Sequence, residues 1–466
     1  MKKQLLASVV AGLGVVGSAH AVHVNPDGLG QVLLYPSYTV QDGFDTYVHV
    51  VNTTTYTKAV KVRFLEGKNS QEVLDFNLYL SPKDEWTGVV TRTENGAKLS
   101  TTDTTCTAPA IPAAGVAFRN FRYTGDSVNT TARTREGYLE IIEMGDLDPD
   151  DAGAQGKAAV GAVHTSAGVP ANCADVRAFA NTSATLPVSG GLYGFNTLIN
   201  VASGVATSVD AVAIDDFWNP LIGGSHTSTG SLQPSLEQAS NVAHILNGTV
   251  VETVTFPANR RVDAVSAVLA RTAIMNDYVV GLDFDAKTDW VVTFPTKRFY
   301  VNPGVKSSDP AADQVARAPF TQKWLTDKSQ SCDEISITYY DREEGTEHGE
   351  ADFSPTPDVA VAALCNEVNT ISIVEHGGTG GLFGAEFTKG QIELAEGFKA
   401  GWMEIGFPAA AAATTGLVGT GGTVLGLPAI GFSAMSFTNG TLEVEGVNVL
   451  SNYGGSVLHK GVRTIK

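Results

Sequence analysis

Residues 38–90 constrain the fold more than any other part of the chain. Four segments follow one another: Asp45-Thr46-Tyr47-Val48-His49-Val50-Val51, Ala59-Val60-Lys61-Val62-Arg63-Phe64, Val73-Leu74-Asp75-Phe76-Asn77-Leu78-Tyr79-Leu80 and Trp86-Thr87-Gly88-Val89-Val90. In the third, Leu74, Phe76, Leu78 and Leu80 share one face and Val73, Asp75, Asn77 and Tyr79 the other, the pattern of a strand packed on one side and wet on the other. The joins, Asn52-Thr53-Thr54-Thr55, Glu66-Gly67-Lys68-Asn69-Ser70 and Ser81-Pro82-Lys83-Asp84, are turn chemistry at hairpin spacing. The expected fold is mainly all-β: two β-sandwich domains, immunoglobulin-like or jelly-roll-like, with long loops and one or two short helices.

The start of the chain reads as a secretory signal peptide over residues 1–21. Met1-Lys2-Lys3 is positive, an apolar core runs over residues 5–16, and Ala19-His20-Ala21 is a small-x-small cleavage site before Val22. The apolar run is well short of the roughly 20 residues a spanning helix needs. Cleavage moves the formal charge from −18 to −20 as Lys2 and Lys3 leave. So acidic a surface repels nucleic acid and anionic lipid, which excludes nucleic-acid partners.

Cys106, Cys173, Cys332 and Cys365 all lie in the exported part. An even number in an oxidising destination points to two disulfides, and pairing neighbours in sequence gives Cys106 with Cys173 and Cys332 with Cys365. No two have the close spacing of a zinc knuckle.

Along the chain, Gln31-Val32-Leu33-Leu34-Tyr35-Pro36 is read as the first strand of its own domain, the alternative being a strand lent to a neighbouring molecule. An N-terminal sandwich is expected over residues 22–222 and a linker with a short helix over 223–248. That helix spans residues 234–246, with Ser235 as N-cap and Asn247-Gly248 as stop. A C-terminal sandwich over 249–466 echoes the first. Asp277-Tyr278-Val279-Val280 matches Thr46-Tyr47-Val48-His49, Thr288-Asp289-Trp290 matches Asp84-Glu85-Trp86, Gly401-Trp402-Met403-Glu404-Ile405 matches Gly137-Tyr138-Leu139-Glu140-Ile141, and residues 426–432 follow the last of these as 191–195 follow the first. Duplication and independent recurrence of one β-pattern both account for this.

Candidate chemistry is sparse. Asp146, Asp148, Asp150 and Asp151 form the densest carboxylate cluster, a candidate Ca²⁺ turn, although Asp151 stands where an EF-hand needs Gly and Lys157 where it needs Glu. An ordinary solvated acidic loop is the plainer account. Asp283, Asp285 and Asp289 read as the wet face of a strand. His348 and Glu350 lack the two-histidine helix of a metallohydrolase, and His226, His244, His376 and His459 are scattered. Neither a Gly-x-Ser-x-Gly elbow nor a Cys beside a His occurs, so no catalytic residues are assigned. Glycosidase carboxylates leave no short motif, and that class stays open. Among the tryptophans, Trp324 is the one expected at the surface.

The opening run, with its Val50-Val51-Asn52-Thr53 turn and Leu80-Ser81-Pro82 ending, resembles the immunoglobulin-like sandwich modules of exported bacterial surface proteins over about residues 30–91. The resemblance implies a structural or adhesive role carried by surfaces. The expectation is therefore an exported, non-catalytic protein of the Gram-negative cell surface or envelope, partnered by copies of itself or by surface glycans. The alternatives are a secreted carbohydrate-binding or carbohydrate-active protein and, last, an outer-membrane β-barrel, which the Thr464-Ile465-Lys466 ending and irregular strand spacing disfavour.

Overall fold

Alternation in the first hundred residues becomes strands that close face to face. The computed structural model describes residues 20–180, 185–219, 223–281, 284–301, 304–309, 314–348, 351–353, 362–408, 410 and 413–466. The expected signal core at 5–16, Asp283 and Glu350 lie outside them. In the first half the strands are β1 (Val32–Thr39), β2 (Phe44–Asn52), β3 (Thr57–Glu66), β4 (Glu72–Leu80), β5 (Glu85–Arg92), β6 (Ala97–Ser100), β7 (Glu136–Leu147), β8 (Leu192–Asn200), β9 (Val205–Asp210) and β10 (Val212–Asp215). One sheet runs β10-β1-β7-β3-β4 and the other β9-β8-β2-β5-β6, with short strands added at their edges. Val60, Val62 and Phe64 of β3, Phe76 and Leu78 of β4, and Leu139 and Ile141 of β7 meet Val48 and Val50 of β2, Trp86 of β5 and Leu99 of β6 in one core. Each wholly buried side chain of this kind stabilises by about 1.5–3 kcal/mol.

Residues 31–36 settle into β1, which pairs with β7 on one side and β10 on the other within the same chain. Both edges of that strand are used, so the lent-strand alternative does not describe this molecule.

The hairpin β11 (Val242–Asn247) and β12 (Val250–Thr255) and helix α1 (Val262–Leu269) lead into the second half. There the strands are β13 (Ala273–Val279), β14 (Lys287–Thr293), β15 (Ser336–Asp341), β16 (Thr346–His348), β17 (Val368–Val374), β18 (Lys389–Glu393), β19 (Ala400–Gly406), β20 (Ile430–Val444), β21 (Val447–Leu458) and β22 (Lys460–Val462). Their sheets run β22-β13-β19-β15-β16 and β21-β20-β14-β17-β18, the strand order of the first half repeated position for position. One direction differs, since β17 and β18 are parallel. Every sheet among the described residues is open; none closes into a barrel.

The repeat extends to local chemistry. The Thr46 hydroxyl donates to Thr39 O (2.7 Å) and accepts from Thr39 N (3.0 Å), bracing β1 to β2. Thr288 does the same with Val279 O (2.6 Å) and Val279 N (3.0 Å) between β13 and β14. Gly137 and Gly401 hold matching places on β7 and β19, where a Cβ would lie 2.0 Å from Leu65 O and 1.9 Å from Tyr340 O. Gly194 and Gly431 correspond likewise. The Gly137/Gly401 match from the sequence therefore has the structural register. The other two pairings are corrected: pairing places Tyr278 with Tyr38, opposite Gly401 and Gly137, and Thr288 with Thr46.

The expected helix over 234–246 is replaced by a single 3-10 turn, Leu236–Gln238, followed by strand β11. The Ser235–Gln238 capping box does form. Beyond it Val242, His244 and Leu246 alternate against Thr255, Thr253 and Val251, and strand pairing outweighs the helical start.

Both predicted disulfides are present, Cys106–Cys173 and Cys332–Cys365. The first ties helix α2 (Cys173–Phe179) of an insertion to the edge of β4. This insertion covers Ala59 and Tyr79, so β4 is buried on its outer face too, against the one-sided burial expected for it.

The halves share a deep seam. Phe44, Leu65, Tyr138, Leu198 and Val209 pack on Val291, Val368, Phe383 and Phe432. Within the seam, backbone N–H groups of residues 386–388 and the Thr388 hydroxyl converge on the Glu136 carboxylate. At one margin the equivalent edge strands β9 and β21 lie side by side, bridged by Asn452 Nδ2 to Ser203 O (2.6 Å) and by the Ser456 hydroxyl to Ser208 O.

Glu367 sits in this seam, its backbone N–H donating to Lys68 O (3.0 Å). Burial pushes its carboxyl up to about 8, against the pull of Lys297 and Arg298. The folded state thus keeps a proton that the unfolded state releases near 4.5. This contribution is complete below pH about 4.5 and is lost as pH rises through about 8. Thermal midpoints measured from pH 5 to 8 are expected to fall, and Glu367→Gln to flatten the slope. An unchanged slope in the variant would reject the assignment.

Candidate functional site

The acidic turn does not assemble a cation cage. Asp146 is turned inward, where Lys58 Nζ is 2.8 Å from its Oδ1 and 2.5 Å from Glu143 Oε1. Asp148 accepts from Asp150 N and Asp151 from Gly153 N, as in ordinary Asx turns. Among the described residues no three His, Cys, Asp or Glu side chains are placed to hold a metal ion.

The other sequence candidates disperse as well. Asp289, expected on a wet face, is fully buried and accepts from Phe383 N at 2.8 Å, while Asp285 lies in an exposed turn. His226 is buried between Tyr79 and Phe179. His376 pairs with Glu393 at the surface. His459 is half-buried beside Trp290, with Val291 O 3.0 Å from its Nε2, and desolvation drives its pKa down to about 3, so its ring is neutral. Trp324, expected outside, is 2% exposed and donates to Asp126 Oδ1 at 2.9 Å. Trp402 is the tryptophan that reaches solvent, 39% exposed and stacked on Tyr340 at 4.4 Å.

Two surface features remain. The first is an arm formed where β20 and β21 run past the sandwich. Its turn, Glu445-Gly446, has both residues at positive φ (52° and 79°), as a two-residue hairpin with right-handed twist requires. Leu442 lies opposite Val449 and Val444 opposite Val447. These four therefore share one face of the ribbon, with Glu443 and Asn448 on the other. All four are exposed, Val447 to 62%. No other element covers this apolar face among the described residues, and a bare two-stranded ribbon is marginal alone.

The second is a cavity of about 560 Å³ at the amino end of α1, lined by Trp218, Glu237, Arg260, Arg261, Val262 and Arg317 among others. Three guanidinium groups around one opening reverse the local sign of an otherwise acidic protein. Of these features, the adjacent arginines and the Leu-x-Val…Val-x-Val alternation around Glu445-Gly446 are visible in the sequence. Arg317 is brought in only by tertiary packing.

The chain matches no protein-family model, no curated protein and no solved structure. No helix among the described residues is long and apolar enough to cross a membrane.

Proposed function

We propose that the protein is an exported, non-catalytic β-rich component of the bacterial cell surface or envelope with a structural or assembly role, and that it associates with further copies of itself through the β20–β21 arm. The observation that carries this reading is the exposed apolar face of Leu442, Val444, Val447 and Val449. Monomers rarely leave such faces open unless something docks on them. A second apolar hairpin tip, with Leu246, Val250 and Val251 exposed on β11 and β12, offers a different surface for the arm to meet. Contact between two unlike patches is heterologous and propagates into chains or rings. The leader-like start, the acidic composition and the paired cysteines support export into an oxidising compartment.

Light scattering and sedimentation of the purified mature protein test this. Wild type is expected to form concentration-dependent oligomers, and the double variant L442E/V449E to stay monomeric with an unchanged melting temperature. A wild-type protein that remains monomeric into the high micromolar range would overturn the proposal.

The second reading, a secreted carbohydrate-binding protein, is favoured by the exposed Trp402–Tyr340 stack. Glycan binding that disappears in Trp402→Ala, in a protein that never oligomerises, would favour it over the first.

A further inference from the structure

We infer that the cavity at the amino end of α1 binds a small ligand carrying two or more carboxylates. Asp263 is wholly buried beneath the cavity. Arg260 Nη2 stands 2.6 Å from one of its oxygens; Arg317 Nη1 lies 2.8 Å from the other, which also accepts from the Tyr300 hydroxyl at 2.8 Å. Arg317 is held further by its position over the Tyr300 ring, 4.1 Å from the centroid. One aspartate thus orients two guanidiniums and offsets the charge of only one.

Arg261 adds a third cation. Its Nε donates to Ala258 O at 3.3 Å, and it forms no ion pair among the described residues. Among the described residues neither Arg260 Nε nor Asp263 Oδ2, both shielded from solvent, has a hydrogen-bond partner. Among the described residues Glu237 is the one carboxylate lining the cavity, so there the opening holds three positive groups against that residue and the buried Asp263. Planar guanidiniums with unused N–H groups match carboxylates in two-point contact. The helix dipole of α1 adds positive potential at the same end. A volume of about 560 Å³ suits a small organic molecule instead of a single ion, and Trp218 supplies an apolar wall.

Calorimetric titration of the full chain with citrate, and with its neutral trimethyl ester as control, tests the site. Citrate is expected to bind saturably at one site and the ester not to bind. Arg261→Gln, which sacrifices only the contact to Ala258, should weaken citrate by about tenfold or more. Glu237→Gln should tighten it several-fold, a change of opposite sign that a general loss of structure would not produce. The arm variant L442E/V449E should bind citrate as wild type does, so failure of the assembly proposal and failure of this one are separable. Absence of saturable citrate binding, or affinities unmoved by both cavity variants, overturns the inference.

Discussion

Glu136→Ala is expected to destabilise the protein by about 3 kcal/mol or more, because several buried donors lose their acceptor at about 1–3 kcal/mol each, and to make the two halves unfold separately. Glu136 belongs to the first half, at the start of β7, yet most of its hydrogen bonds come from the second. Its carboxylate accepts from Glu386 N (2.7 Å), Phe387 N (3.2 Å), Thr388 N (3.0 Å) and the Thr388 hydroxyl (2.6 Å), with Gln41 Nε2 at 2.8 Å from its own side. Hydrogen bonds to a charged acceptor contribute about 1.5–3 kcal/mol each, and a buried donor left without an acceptor costs about 1–3 kcal/mol. Removing the carboxylate strands several donors at once. Glu136→Gln keeps one acceptor and the shape, and should cost about half as much. Urea unfolding followed by tryptophan fluorescence and by circular dichroism would show the two probes parting in the Ala variant. A loss under about 0.5 kcal/mol, with coincident transitions, would mean the apolar seam alone holds the halves together.

Arg133→Met should cost a similar amount, about 3–5 kcal/mol, by a different route. Its guanidinium is wholly buried and spends its donors on Glu66 (2.5 and 2.9 Å), Asp126 (2.8 Å), Asn69 Oδ1 (2.7 Å) and Val128 O (2.7 Å). It also lies over the Tyr123 ring at 4.2 Å and near that of Trp324 at 5.8 Å. Methionine fills much of the volume but takes from the buried Glu66 and Asp126 the cation that hydrogen-bonds both, leaving only Lys68 nearby. Arg133→Lys retains charge and loses the planar fork, so only partial rescue is expected. The variant should also change the acid limb. Burial raises the Glu66 carboxyl, but Arg133 and the N–H groups of Lys68 and Gln71 bring it below its ordinary value. Its contribution is therefore present above the unfolded value of 4.5 and lost as pH falls through the lower folded one. Wild type should lose stability steeply below pH 4.5, and Arg133→Met less so. Equal acid limbs in the two proteins would count against this account.

How much of this was legible in the sequence varies with how local the cause is. Val60, Val62 and Phe64 announced the inner face of β3 because period two is a property of the strand itself. Lys61 and Arg63 take the alternate positions, where a polar side chain would ordinarily meet water, yet both are buried: Lys61 pairs with Asp75 at 3.1 Å and Arg63 with Glu72 at 2.8 Å, and the segment carrying Ser228 and Leu232 closes over them. A second covering layer leaves no periodic trace, since ion pairing lets polar residues occupy a buried face. Trp324 misled for the same reason, because the carboxylate that receives its N–H belongs to Asp126 in the other half. The cysteine pairs were readable because each bridge closes within its own half. The arginine cavity was not, since Asp263 that orders it and Arg317 that completes it come from segments with no shared pattern.

The meeting of β9 with β21 has a consequence for how such a chain can evolve. These are equivalent strands, each the outermost of its six-stranded sheet, and each shields the edge of the other through side chains without a backbone ladder. A half taken alone would present a bare edge together with an uncovered apolar seam, the two surfaces that invite indiscriminate pairing. The repeat is therefore not a pair of interchangeable modules that recombination could shuffle or multiply.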